Sequence, residues 1–248
     1  MVGLWNSSLQ KIETALGGQM RLVGGCVRDY LLEKTPDDID IVTPLVPSIV
    51  MENLKKHHIR SRMVAPRHGV VVACVQGEKF EITTLRRDDY PTGGREKITF
   101  ITDYRQDACR RDFTINAMYM DRDGKIYDYF DGQIDLRNHV VRFIGDPATR
   151  LREDPLRFLR YLRFWSLFGA EKPDSDILAC FSAIKDLLQK VSYNRLYKEM
   201  QKITLLPRRA EIKELLIQNG LAPFLSKIGA VGQTFFNSSC IDLEGENS

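Results

Sequence analysis

The sequence predicts an α+β chain: a mixed half of strands and helices, then an all-helical half. Three observations carry this. Short β-branched runs alternate with helical patterns through about residue 137. From about Pro147 onward only helical spacing remains. A glycine pair and a cluster of acids lie at the ends of the first two strands, where chemistry rather than packing explains them.

Taken in order, residues 8–17 read as a helix and 20–25, MRLVGG, as a short strand running into Gly24-Gly25. Residues 26–34 form a helix, with Val27, Tyr30 and Leu31 at i, i+3 and i+4. DIDIVT, 38–43, is the next strand, followed by a helix over 47–57. GVVVACV, 69–75, and FEITTLR, 80–86, are strands joined through Gly77. Residues 88–99 are polar with Pro91, Gly93 and Gly94, the composition of a mobile loop. RRDFTINAMYM, 110–120, passes from polar to apolar, and KIYDYFDG, 125–132, is strand then turn. Leu156, Leu159, Leu162 and Trp165 space one helix over 149–169, with further helices over 176–190, 193–205 and 208–219. The composition of 237–248 predicts a disordered tail.

Bulk properties narrow the classes. The chain has 248 residues, 43% hydrophobic and 28% charged, ordinary values for a globular protein with a sizeable core. A net charge of +3 argues against a histone-like binder while allowing a local basic face. No apolar run reaches the roughly 18 residues of a membrane span, and the N-terminus lacks the pattern of a secretion signal. The five cysteines are dispersed without a C-x-x-C pair, so neither zinc nor a disulfide framework is expected. The expected compartment is reduced: the cytoplasm or an organelle matrix.

The chemistry concentrates in TPDDIDIV, 35–42. Residues i and i+2 of a strand share a face, so Asp38 and Asp40 repel unless a cation lies between them. Hard oxygen donors suit Mg²⁺ better than zinc. Gly24-Gly25, between strand and helix, lets backbone N–H groups meet a phosphate. Together these point to metal-assisted phosphoryl or nucleotidyl transfer; the competing reading is a solvated acidic turn or N-cap. Glu81, the one acid inside its apolar run, is either a third metal-directed carboxylate or a residue on an exposed strand face. In RRDFTIN, Arg111 suits a triphosphate, with Asp112 and Asn116 near the sugar or a loop; the alternative is an exposed helix start. Asp154 and Arg157 are spaced i, i+3, either as an intrahelical salt bridge or as a base reader. A carboxylate beside a guanidinium matches the amino donor and ring-nitrogen acceptor shared by cytosine and adenine. Six arginines against three acids between Arg142 and Arg163 make a phosphate-facing patch or a solvated helix face.

RLVGGCVRDYLLEKTPDDIDIVT, FEITTLRRD, RRDFTINAM, YDYFDGQIDL, VRFIGDPATRLREDPLRFLRYLRF and SYNRLYKEM fall in one order. That order resembles the class II tRNA nucleotidyltransferases, the CCA-adding enzymes of bacteria and eukaryotes, with bacterial poly(A) polymerases as close relatives. The resemblance covers roughly residues 20–205. It implies a polymerase-β-type nucleotidyltransferase head over 1–137, a mixed β-sheet with helices. An all-α neck over 138–205 and a truncated helical body with a tail over 206–248 would follow. The implied reaction is template-independent addition of C, C and A to the tRNA 3′ end from CTP and ATP, by two-metal transfer with Mg²⁺ and no side-chain general base.

By motif match, Asp38 and Asp40 are the implied metal ligands and Glu81 the third catalytic acid. Gly24, Gly25 and Arg28, with Asp29, match the phosphate-side turn. Arg111, Asp112 and Asn116 match the nucleotide-contacting motif, and Asp154 and Arg157 the pair that reads the base, with Arg160 and Arg163 nearby. Arg87 and Asp88 open a segment resembling the flexible loop associated with switching from C to A addition. Family members run longer; here the helical part is expected to stop near residue 225. Three expectations stay open: a naturally minimal enzyme, a truncated product, or an RNA grip supplied by a second copy or a helper subunit. Rival readings are a CC- or A-adding enzyme, a poly(A) polymerase, or a catalytically weak RNA-binding remnant.

Overall fold

The structure, a computed structural model, describes residues 4–90, 97–169 and 172–237. The chain divides into two compact units, Met1–Arg137 and Asn138–Ser248.

The first unit begins with α1 (Ser7–Ala15), capped by the Asn6 side chain, which accepts from the Leu9 N–H. Then come β1 (Arg21–Val23), α2 (Gly25–Leu31), β2 (Asp40–Thr43) and α3 (Pro47–Lys56). β3 (Arg60–Ala65), β4 (Val70–Val75) and β5 (Glu78–Thr84) follow. Gln76 and Gly77, both at positive φ, make the tight turn between β4 and β5. β6 (Arg86–Asp89) and β7 (Lys97–Phe100) pair as a separate two-stranded ribbon. α4 (Tyr104–Cys109), β8 (Met118–Met120), β9 (Ile126–Asp128) and α5 (Gly132–Arg137) complete the unit.

Seven strands form one sheet in the order β3-β4-β5-β2-β1-β8-β9. β2 and β5 run parallel; every other adjacent pair in this sheet is antiparallel. Alternation gives the sheet two unlike faces. On one, Ile41, Val71, Ala73, Phe80 and Ile82 are buried, as are Leu9 and Ile12 of α1 and Val50 and Leu54 of α3. On the other, Asp40 and Glu81 are exposed.

The second unit is helical: α6 (Pro147–Glu153), α7 (Leu156–Phe168), α8 (Ser175–Ala179) and α9 (Phe181–Leu188), then α10 (Tyr193–Ile203), α11 (Arg209–Gln218), α12 (Ala222–Leu225) and α13 (Gly229–Asn237). Its core includes Phe158, Leu159, Leu162, Trp165, Leu196, Met200 and Ile203.

Several expectations need correction. The strand expected over 38–43 begins at Asp40, and β3, α4 and α5 had no counterpart in the sequence pattern. The helix expected over 149–169 is broken: Asp154 closes α6 with an extended backbone because Pro155 follows and disfavours the helical region. The helix expected over 176–190 divides at Cys180. Helical structure does not stop near 225 but continues through α13. Part of the loop expected over 88–99 is strand: Arg87 pairs with Thr99 and Asp88 with Ile98. Of that loop, 91–96 lie outside the described residues, as do 238–248 of the expected tail.

Candidate active site

Strand register does the first work. β2 and β5 are placed so that Asp40 stands directly opposite Glu81. Both line a cavity of about 380 Å³ with Val23, Thr83, His68, Arg86, Arg110 and Arg111. Asp38 lies on the irregular stretch just before β2.

The electrostatics are uncompensated. The Asp40 carboxyl is pushed above its ordinary range, chiefly because surrounding protein displaces water; Arg111 opposes the shift and Asp38 adds to it. Glu81 is also pushed up, first by loss of water and then by the charges of Asp40 and Asp38. Two carboxyls pushed up in this way, with Asp38 close in sequence, fit a hard divalent cation. Mg²⁺ usually takes one or two protein carboxylates and fills its shell with water and substrate phosphate, so Asp40 and one neighbouring acid would be enough to hold it.

The opposing cations are held by a residue the sequence reading overlooked. Asp107, in α4, is fully buried. It accepts from Arg110 Nε at 2.7 Å, Arg111 Nη2 at 3.2 Å, Tyr119 Oη at 2.8 Å and the Arg86 backbone N–H at 3.2 Å. Burial alone would raise its carboxyl, but the Arg111 and Arg110 guanidiniums outweigh that and hold it low. Arg86 donates to Asp88 at 2.9 Å and to the His68 carbonyl at 2.9 Å. The signal was present in DACRR: Asp107 stands three and four residues before the two arginines on one helical turn.

The glycine turn meets the same arginine. Gly24, at φ +79°, has its N–H on the Met118 carbonyl at 3.1 Å. A Cβ there would stand 3.6 Å from Arg111 Nη1, and one on Gly25 3.7 Å from Arg28 Nη2. Arg28 is largely buried; it donates to Asn116 Oδ1 at 2.7 Å and to Asp29 Oδ1 at 2.8 Å. Asp112, also buried, accepts from the Phe113 N–H at 2.9 Å and from Asn116 Nδ2 at 3.3 Å. Arg28, Asp112 and Asn116 are therefore a buried network behind the turn. The exposed helix start considered for Asp112 is not what forms.

Arg87 and Asp88 differ from each other. Arg87 is exposed and pairs with Asp89 at 3.0 Å, whereas the Asp88 side chain is buried against Arg86. Within this unit the structure thus gathers Gly24, Gly25, Asp40, Glu81 and Arg111 around the cavity and its entry turn.

In the helical unit Asp154 and Arg157 do not share a helix. Asp154 Oδ2 accepts from Arg195 Nη2 at 2.7 Å, and Arg195 lies in the SYNRLYKEM segment. Arg157 is buried and donates to Glu153 at 2.7 Å and to the Arg150 carbonyl at 3.1 Å. Arg160 stands over the Phe164 ring at 5.5 Å, and Arg163 over the same ring at 4.1 Å while bridging to Glu199.

Residues 20–142, which contain the cavity and the turn, match the model of the poly(A) polymerase head domain. Through these residues the chain belongs to the poly(A) polymerase head-domain family. The fold agrees: the chain superposes on the Bacillus stearothermophilus CCA-adding enzyme in complex with CTP with a TM-score of 0.77 at 31% identity, over 93% of this chain and 57% of that one. It aligns with a tRNA nucleotidyltransferase complexed with a primer tRNA and an incoming ATP analog at a TM-score of 0.67 and 27% identity, over 89% of this chain and 62% of that one. In sequence it is 37% identical over 210 residues to the mitochondrial CCA tRNA nucleotidyltransferase 1 of Danio rerio, covering 83% of this chain and 48% of the relative. The chain thus spans about half the length of the curated relatives it matches. Residues 20–142 carry a poly(A) polymerase head of the polymerase-β nucleotidyltransferase type. Among the described residues no helix is long and apolar enough to cross a membrane.

Proposed function

We propose that the chain transfers nucleotides, without a template, to the 3′ end of tRNA, adding C, C and A from CTP and ATP. The observation that carries this reading is the register match of Asp40 with Glu81 inside a cavity that Arg86, Arg110 and Arg111 also line. The matched relatives, a CCA tRNA nucleotidyltransferase and a CCA-adding enzyme in complex with CTP, support the choice of substrates.

In this reading Asp38 and Asp40 hold Mg²⁺, with Glu81 beside them. When bound, the metal would supply charge neutralisation at the RNA 3′-hydroxyl and the leaving pyrophosphate. Arg111, fixed by Asp107 and Tyr119, faces the triphosphate with Arg110 and Arg86. Gly24 leaves room for a close backbone approach beside Arg111. In the helical unit Asp154 is the base reader, presented by Arg195 rather than by Arg157, whose guanidinium fixes the α6–α7 corner. The expected compartment is the cytoplasm or an organelle matrix.

The test is incorporation with Mg²⁺ and a tRNA transcript lacking CCA, given CTP alone, ATP alone and then both. Two additions with CTP and a third on adding ATP are expected. Stopping after C-C, adding only A to a C-C end, or building a long A tract would assign the chain to one of the related activities. RNA binding with no product under any combination would sink the enzymatic reading.

A further inference from the structure

One charged feature of the head extends beyond the cavity. Residues 53–77 contain no Asp or Glu, but carry Lys55, Lys56, Arg60, Arg62 and Arg67, with His57, His58 and His68. This segment includes β3, the edge strand of the large sheet. Arg60 and Arg62 are exposed and alternate on one side of it.

Register shows which side. Arg62 pairs with Val72, Val72 with Glu81, and Glu81 with Asp40. Directly paired residues point to the same face, so Arg62 shares the open face with the two acids, about 10 Å from Glu81 across two strand spacings. In the next row Arg60 pairs with Cys74, and Cys74 with the exposed Lys79. Among the described residues no ion pair engages Arg60, Arg62 or Lys79. Val72, between Arg62 and Glu81, and Cys74, between Arg60 and Lys79, are half-buried, so the surface is continuous.

The order of charges along β5 matters. Lys79 precedes Glu81, whereas Arg86 follows the strand's end. The acids therefore have cations on two sides: the cavity arginines on one, and Arg60, Arg62 and Lys79 on the other. In a phosphoryl-type transfer the attacking and leaving oxygens are roughly in line. With the triphosphate against the cavity arginines, the attacking RNA end must arrive from the opposite side.

We propose that Arg60, Arg62 and Lys79 bind the phosphate backbone of the RNA substrate next to its 3′ end and lead that end to Asp40 and Glu81. The direction of approach rests on the nucleotidyl-transfer reading; the affinity for an RNA backbone rests on charge and continuity alone. Arginine and lysine on an open sheet face, in no ion pair among the described residues, are the groups that neutralise phosphates without reading sequence.

The experiment compares the full chain with Arg60→Gln/Arg62→Gln/Lys79→Gln, measuring affinity for a tRNA transcript lacking CCA at about 50 and 200 mM salt. Three single-strand phosphate contacts add about 2 to the slope of log affinity against log salt, so the unmodified chain should lose about twentyfold more affinity over that range than the variant. The KM for RNA should rise severalfold while the KM for CTP does not. Arg60→Lys/Arg62→Lys should restore the slope, because charge rather than the guanidinium fork is at work. An unchanged slope and RNA KM in a variant that still melts cooperatively would overturn the proposal, as would unmodified protein that binds no RNA. A change of oligomer mass in the variant would reassign the strip to pairing between edge strands and also overturn it. A slope effect in a protein that adds no nucleotide would leave this surface standing and sink the enzymatic reading instead.

Discussion

Asp107 in the head and Glu199 in the helical unit are both carboxylates with almost no exposure, 0% and 4%, and both lie against arginine. They are used differently. Asp107 gathers Arg110 and Arg111 to one wall of a cavity that Asp40 and Glu81 also line, and those two carboxyls are pushed above their ordinary range. Glu199, on α10, takes Arg163 of α7 and clamps the two helices together. The head arranges charge for something that arrives; most buried charge in the helical unit is closed on itself. Its more exposed pair, Asp154 with Arg195, is the one we assign to substrate. What separates a site from a scaffold is thus which charges are left unbalanced, since buried ion pairs occur in both units.

The largest effect should break the comparison at its centre. Asp40→Ala should lower incorporation by about a thousandfold or more, since metal-borne charge stabilisation is worth several kcal/mol, while the circular dichroism spectrum is unchanged. Retained turnover would remove Asp40 from the metal site. Asp107→Ala strands two buried arginines and should cost about 3–5 kcal/mol in urea unfolding, with activity lost as well. Glu199→Ala should cost about 2–3 kcal/mol, less because Arg163 is at the edge of the core and can turn to water. If Glu199→Ala also abolished incorporation at low temperature, the division between site and scaffold would fail.

Two smaller effects sharpen it. Asp40 and Glu81 bind protons more tightly in the folded than in the unfolded chain. Stability without metal should therefore fall as pH rises from the ordinary carboxylate range through their raised values. Asp40→Asn removes that loss, so its melting temperature should exceed that of the unmodified protein near neutral pH, with the gap closing by about pH 4. A difference that persisted unchanged at low pH would mean that packing, not charge, is responsible. Arg195→Ala should cost at most about 1 kcal/mol of stability, as the pair is partly exposed, yet should narrow the preference for CTP over UTP.

Much of this was legible in the primary structure. The division into a mixed half and a helical half, the glycine turn and the acids at a strand mouth follow from periodicity and local chemistry, which depend on near neighbours. The same logic failed where long-range order decides. β3 carries arginines on its open face and lies at an edge, so it shows no clean apolar alternation. The 149–169 segment keeps helical spacing on both sides of Pro155, which hides the break and so mispairs Asp154 with Arg157. That Asp40 meets Glu81, that Arg62 stands in the same row, and that Asp107 rather than solvent receives Arg110 and Arg111 are matters of strand register and burial. Those depend on residues far apart in the chain, and only the packed sheet brings them together.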